Sequence, residues 1–108
     1  MPSSVELLVL DQVVDHRGQL AFIEEGKGCP FAIEQVIWGA EKGSGIGREE
    51  IILALAGEIE VHVKCPEGGS TMYLLKGPHQ GIYLAPSVRH RFNVTAEGAF
   101  TVRILGAA

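Results

Sequence analysis

Polar and hydrophobic residues alternate along much of this chain with a period of two, and no stretch keeps the 3.6-residue period of a long amphipathic helix. The clearest example is "EIEVHVK", from Glu58 to Lys64, in which charged or polar side chains alternate with isoleucine and valine. Such alternation predicts a strand with one face in solvent and the other buried. The fourteen glycines and five prolines punctuate the chain every several residues and predict turns between short strands.

The run "IILALA", at residues 51–56, differs because it is apolar on both faces. Gly57 follows it closely enough to predict a tight hairpin with the next strand, Glu58 to Lys64. One face of this strand would pack inside a barrel, whereas the other requires a second sheet or another subunit. Many short strands at this spacing are typical of a sandwich or small barrel. We therefore expect an all-β fold, and the doubly apolar strand predicts a homodimer.

The composition of the chain argues against nucleic acids and membranes as binding partners. A chain of 108 residues predicts a single domain, and its net charge of −4, without a cluster of Lys or Arg, argues against nucleic-acid binding. No apolar run approaches the ~20 residues of a membrane span, so we expect no membrane association. The start lacks the features of a signal peptide, and Cys29 and Cys65 lack metal-type spacing. These features predict a cytoplasmic protein with reduced thiols.

A candidate for chemistry lies in "QGIYLAPSVRHRFNV", residues 80–94. Gly81 lets the chain enter a strand, Pro86 stiffens the following loop, and His90 opens the next strand. Alternation places His90, Phe92 and Val94 on one face, and the two apolar residues identify that face as the inward one. An inward imidazole in a small barrel is either a hydrogen-bonded core residue or a residue of a functional site.

The other three histidines are weaker candidates. His62 alternates with charged residues and should point to solvent. His79 lies in a turn flanked by glycine and proline, and His16 lies in the polar turn "DHRGQL". Structural or solvated roles are the default for all three.

The segment "EKGSGIGREE", at residues 41–50, resembles the first metal-binding motif of cupins without its histidines. Glu50 matches the acidic end of that motif. The two missing histidines would fall at Gly43 and Gly45, or at Ser44 and Ile46. Zinc or iron needs at least three protein ligands, and only Glu50 and His90 remain here. We therefore expect no metal and no other cofactor.

Over residues from about Leu8 to Leu105, the order of motifs resembles the WxcM-like dTDP-4-keto-6-deoxyglucose 3,4-ketoisomerases. The resemblance rests on "DHRGQLAFIE", "PFAIEQV", "ALAGEIEV" and "GIYLAPSVRH". It implies one small cupin domain over residues 1–108, an RmlC-like jelly-roll β-barrel, and a dimer that exchanges N-terminal strands. By the same alignment, a family Arg and Tyr fall at Gln35 and Ile37, both catalytic histidines are absent, and His90 is retained.

Three hypotheses for function follow. The first is a catalytically degenerate cupin of ketoisomerase ancestry that binds a small ligand, a dTDP-sugar or another nucleotide sugar. Glycine at 43 and 45 would then widen the barrel mouth, and the mouth would be lined by His90, Tyr83, Gln35 and Glu50. The second is an active isomerase with an altered acid/base pair, either His90 with Glu50 or Glu24 with His16. The third is a structural or assembly module that acts through its dimer interface.

Overall fold

The computed structural model describes residues 5–9, 24–25, 28–29, 31–77, 80–94 and 98–107. The predictions for His16, for His79 and for the side chain of Glu24 lie outside what it describes. The strands of the described residues are β1 (Val5–Val9), β2 (Glu24–Glu25), β3 (Gly28–Cys29), β4 (Gln35–Gly39), β5 (Gly43–Gly45), β6 (Glu50–Ala56), β7 (Glu58–Lys64), β8 (Ser70–Lys76), β9 (Gln80–Leu84), β10 (Arg89–Val94) and β11 (Phe100–Leu105). No helix in this part of the chain is long and apolar enough to cross a membrane.

Two antiparallel sheets face each other. One has five strands in the order β1-β9-β6-β11-β4, and the other has four in the order β5-β10-β7-β8. The short strands β2 and β3 pair with each other in parallel. Strand crossovers within both sheets give a jelly roll, so the all-β prediction is confirmed.

The space between the two sheets holds the main core. Alternate residues of each strand point into it, as the period of two requires. Its largest contributors are Ile52, Ile59, Val61, Leu75, Ile82, Leu84 and Phe92. The prediction that His90 and Phe92 face inward on β10 is confirmed, because both side chains are buried.

Strand β6 is apolar on both faces, as its sequence predicts, and residues Ile51 to Ala54 are fully buried. Ile52 and Ala54 belong to the core between the sheets, whereas Ile51 and Leu53 belong to a second cluster on the opposite face of the five-stranded sheet. Phe31 packs in that second cluster. Both faces of β6 are therefore covered within one chain, so its apolar character does not by itself require a second subunit. The homodimer itself stays a prediction.

The predicted hairpin at Gly57 is also wrong. Strands β6 and β7 lie in different sheets, and Gly57, with a φ of 68°, turns the chain from one to the other. A Cβ at this position would lie 2.8 Å from the Cβ of Ala99, so the corner also needs glycine for close approach. By contrast, β7 and β8 do form a hairpin across the glycine-rich turn that follows Cys65.

Candidate functional site

Three strands bring Glu50, His90 and Arg103 together at one end of the space between the sheets. Glu50 begins β6, His90 lies on β10, and Arg103 lies on β11, which pairs with β6. We call these three residues the Glu50 cluster. The side chains of His90 and Glu50 are 1% and 2% exposed, and that of Arg103 is 15% exposed. Solvent therefore reaches the cluster mainly along the guanidinium.

The carboxylate of Glu50 is held by both neighbours. Arg103 donates from Nε to Oε2 at 2.7 Å and from Nη2 to Oε1 at 3.1 Å, and His90 Nε2 lies 3.1 Å from Oε1. The two arginine bonds form a fork, which is the strong geometry for a guanidinium and a carboxylate. Arg103 Nη2 also donates to the carbonyl of Ser44 at 3.1 Å, and the guanidinium lies 5.2 Å from the ring centroid of Phe92. Each of these contacts fixes the orientation of the arginine.

The electrostatics keep Glu50 ionised. Burial raises the pKa of Glu50, but hydrogen bonds and electrostatic attraction from His90 and Arg103 outweigh burial, so its pKa lies below the ordinary 4.5. An ionised carboxylate can only accept hydrogen bonds, so His90 Nε2 must be the donor. His90 Nδ1 is buried and has no hydrogen-bond partner among the described residues.

Neighbouring side chains occupy the space in front of the two glycines that replace the missing histidines. Gly45 pairs with His90 and Gly43 with Phe92 across the β5–β10 ladder, so these two positions face inward. A Cβ at Gly45 would lie 2.9 Å from His90 Cε1, and one at Gly43 would lie 2.8 Å from the ring of Phe92 and 3.1 Å from Arg103 Nη1. The expectation that glycine widens the barrel mouth is therefore wrong. The space is taken by His90, Phe92 and Arg103.

Ser44 and Ile46, the alternative positions for the histidine pair, do not face the interior. Both side chains are exposed, and Ser44 pairs with the outward Arg91. The inward positions on β5 are thus Gly43 and Gly45.

A metal does not fit the Glu50 cluster. Arg103 already contacts both carboxylate oxygens of Glu50, so a cationic side chain stands where a metal would be bound. Within the described ranges, no group of three or more His, Cys, Asp or Glu side chains lies close enough to hold a metal ion.

Tyr83 does not reach the site, which corrects the prediction that it lines the mouth with His90. It lies on β9 beside the second apolar cluster, on the opposite face of the five-stranded sheet from Ile82 and Leu84. Its hydroxyl donates to Glu49 Oε2 at 2.6 Å. Burial, followed by this hydrogen bond and the charge of Glu49, raises the pKa of Tyr83 to about 12.

Gln35 lies on the edge strand β4 and is exposed. Its Oε1 accepts a hydrogen bond from Arg48 Nη1 at 3.2 Å, and Arg48 Nε donates to the carbonyl of Gly106 at 2.7 Å. The structure thus joins His90 and Glu50, adds Arg103, and places Tyr83 and Gln35 in other environments.

Arg103 is the residue that sequence reasoning missed. The strand "FTVRIL" places Val102 and Ile104 on one face and Arg103 on the other, between Thr101 and Leu105. An arginine on the inner face of a largely apolar strand needs a buried partner of opposite charge. That pattern could have identified Arg103 as the partner of Glu50. His62, by contrast, points outward as predicted, with Nε2 3.3 Å from Glu60 Oε1.

The two-sheeted jelly roll is that of the RmlC-like cupins, and comparison with known proteins identifies the family. The family model described as WxcM-like, C-terminal, matches residues 3–105, and the chain belongs to this family. A search of curated proteins found no match.

Several solved structures share the fold. The sugar 3,4-ketoisomerase QdtA from Thermoanaerobacterium thermosaccharolyticum, in complex with TDP, is 22% identical with a TM-score of 0.76, over 100% of this chain and 84% of that one. The TDP-quinovose 3,4-ketoisomerase WlaRB from Campylobacter jejuni is 17% identical with a TM-score of 0.78, over 99% and 88% of the two chains. The rmlC epimerase of Mycobacterium tuberculosis is 14% identical with a TM-score of 0.71, over 97% and 64%. At these identities the likeness establishes the fold.

Proposed function

We propose that this protein is a cupin of sugar 3,4-ketoisomerase ancestry that has lost the isomerase reaction and binds a nucleotide sugar at the mouth beside Arg103. One observation carries the loss of catalysis. The inward positions of the missing histidine pair are Gly43 and Gly45, and the space in front of them holds His90, Phe92 and Arg103.

The chemistry of ketoisomerisation supports this reading. Moving a carbonyl between C3 and C4 proceeds through an enediol and needs a general base and acid over one face of the sugar. Glu50 and His90 hydrogen-bond to each other, and Arg103 holds the carboxylate as an ion pair. With side chains 1% and 2% exposed, neither is open to a substrate proton. This argues against the altered acid/base pair of His90 with Glu50.

The guanidinium of Arg103 supports the proposal that a nucleotide sugar binds at the mouth. Arg103 is partly exposed, and its Nη1 donates to no group among the described residues. A guanidinium with free N–H groups suits a phosphate oxygen. The QdtA structures were determined with TDP and with TDP-4-keto-6-deoxyglucose bound. We therefore assign a dTDP-sugar as the ligand class.

Calorimetric titration with dTDP tests this proposal. We expect weak binding by the wild type, and weaker binding by Arg103→Lys, which keeps the charge but loses the fork. Since His90 is closed to solvent, we expect His90→Ala to lower the melting temperature rather than to remove a ligand contact. Absence of any binding heat for the wild type would refute the ligand half of the proposal.

A second candidate function, assembly through a dimer interface, is favoured by one surface. Val36 and Trp38 on edge strand β4 are 41% and 50% exposed. They pair with Ile104 and Val102 of the second apolar cluster, so they extend that cluster to the edge of the sheet. An exposed apolar strip of this kind is suited to contact with a second copy.

A further inference from the structure

The outward face of the four-stranded sheet carries a groove that the proposed function does not use. It spans β5, β7, β8 and β10 and has a volume of about 720 Å³. That volume falls in the ~300–1,000 Å³ range of small-molecule sites. The side chains that give the groove its character are Ile46, His62, Lys64, Met72, Arg89 and Arg91. We call it the outer groove.

The charges of the outer groove are unusual for a protein with a net charge of −4. Arg89 lies directly opposite Lys64 across the β10–β7 ladder, and Arg91 lies opposite His62. Like charges directly opposite each other destabilise a sheet. Among the described residues, no ion pair or side-chain hydrogen bond engages Lys64, Arg89 or Arg91. These three cations therefore have no ion-pair partner among the described residues.

Carboxylates also occur on the same sheet face. Glu60 lies 3.3 Å from His62 and opposite Asn93, and Glu58 lies opposite Lys76. Charge therefore varies along β7, from the basic end at Lys64 to the acidic end at Glu58. An anion is favoured at the basic end.

Apolar side chains flank the cations. Ile46 and Met72 line the outer groove and are 54% and 52% exposed. Ile46 follows β5 and Met72 lies on β8, so they stand on opposite sides of the two basic strands. A ligand that satisfies both features needs negative charge and an apolar part.

We propose that the outer groove binds a phosphorylated small molecule with a flat apolar group, of the nucleoside diphosphate class. Lys64, Arg89 and Arg91 hold the phosphates, and Ile46 and Met72 pack on the ring system. Gly45 and His90 also line the outer groove. Their side-chain positions face inward, whereas Ser44 and Arg91 face outward, so the groove and the Glu50 cluster lie on opposite faces of the four-stranded sheet. The proposal does not depend on the function proposed for the barrel mouth.

The test is a titration of the isotope-labelled protein followed by amide chemical shifts, which suits a chain of 11.6 kDa. The probes are adenosine diphosphate, inorganic pyrophosphate and adenosine. We expect the diphosphate to bind more tightly than pyrophosphate, adenosine not to bind, and the shifts to cluster at residues 62–64, 70–72 and 89–91. Raising the ionic strength about tenfold should weaken binding, because exposed charges are screened.

Variants assign the contacts. Arg89→Met and Lys64→Met should each weaken binding about 10-fold, the scale of one charged hydrogen bond. Lys76→Met removes one positive charge from the other end of the same face and should leave affinity unchanged. In Arg103→Lys the shifts at residues 62–64, 70–72 and 89–91 should persist, which separates this site from the barrel mouth.

Three results would overturn the proposal. They are no shifts with either phosphorylated probe, equal losses in Lys76→Met and Arg89→Met, or disappearance of the shifts at residues 62–64, 70–72 and 89–91 in Arg103→Lys. Diphosphate binding no tighter than pyrophosphate binding would reject the apolar half of the site.

Discussion

Replacing Arg103 by methionine should be among the most destabilising substitutions that leave the apolar core intact. The change removes the fork on Glu50 Oε1 and Oε2 while the carboxylate remains 2% exposed. Removing one partner of a buried ion pair costs about 3–5 kcal/mol of the free energy of unfolding, because a charge is left buried without compensation. That is a large fraction of the ~5–15 kcal/mol that stabilises a small domain.

The loss should depend on pH in a stated direction. In the wild type the pKa of Glu50 lies below 4.5, so its contribution is present above pH 4.5 and is lost as pH falls through the folded-state pKa. Without Arg103 the pKa of Glu50 rises, because burial is opposed only by His90. The stability difference between wild type and Arg103→Met is therefore greatest above the raised pKa of Glu50 in the variant, and it shrinks as pH falls from that pKa towards the lower pKa of the wild type.

Urea unfolding followed by circular dichroism, at several pH values, measures this difference. Arg89→Met is the matched control, since Arg89 is exposed and should change stability by less than about 0.5 kcal/mol. Glu50→Gln combined with Arg103→Met should recover part of the loss, because both charges are gone. A loss below about 1 kcal/mol for Arg103→Met, or a difference independent of pH, would refute the reasoning.

Three further predictions concern other positions. Gly45→Ala should destabilise by about 1–3 kcal/mol through overpacking against His90, whereas Gly69→Ala, with open space around its Cβ, should change stability little in urea unfolding. Ultraviolet titration of Tyr73→Phe should show Tyr83 ionising near pH 12. The stability that the Tyr83 phenol contributes should be retained below pH 10 and lost as pH rises to 12. Ionisation of Tyr83 near pH 10 would contradict this prediction. Light scattering should give twice 11.6 kDa and Trp38→Glu should lower that mass; a wild-type mass of 11.6 kDa would reject the homodimer.

Period-two patterning predicted strands such as β6, β7 and β10 and the inward faces of β7 and β10, but not the short strand β5. In β7 and β10 the alternation identifies the buried side chains directly. It could not reveal that β6 and β7 belong to different sheets, because a glycine between two strands serves a hairpin or a corner equally well. Nor could it show that both faces of β6 are covered within one chain, since this depends on packing by residues distant in sequence, such as Phe31.

For the site, sequence reasoning identified His90 and Glu50 but not what joins them. The prediction of a widened mouth assumed that glycine at 43 and 45 leaves empty space. Neighbouring side chains can instead pack into the space that a missing side chain leaves. Arg103 lies on the last strand, 53 residues from Glu50, so no local motif connects them. Tyr83 was misplaced because its inward or outward direction depends on one residue of register on β9, where Ile82 and Leu84 face inward.

Whether the Glu50 cluster fills a former catalytic site can be tested by a turnover assay on dTDP-4-keto-6-deoxyglucose. Purified protein is incubated with this sugar nucleotide, and formation of the 3-keto isomer is followed by nuclear magnetic resonance. We expect no conversion beyond the uncatalysed rate, because Glu50 and His90 are hydrogen-bonded to each other and closed to substrate. Turnover of ordinary enzymatic size, about 1 s⁻¹ or faster, would contradict it.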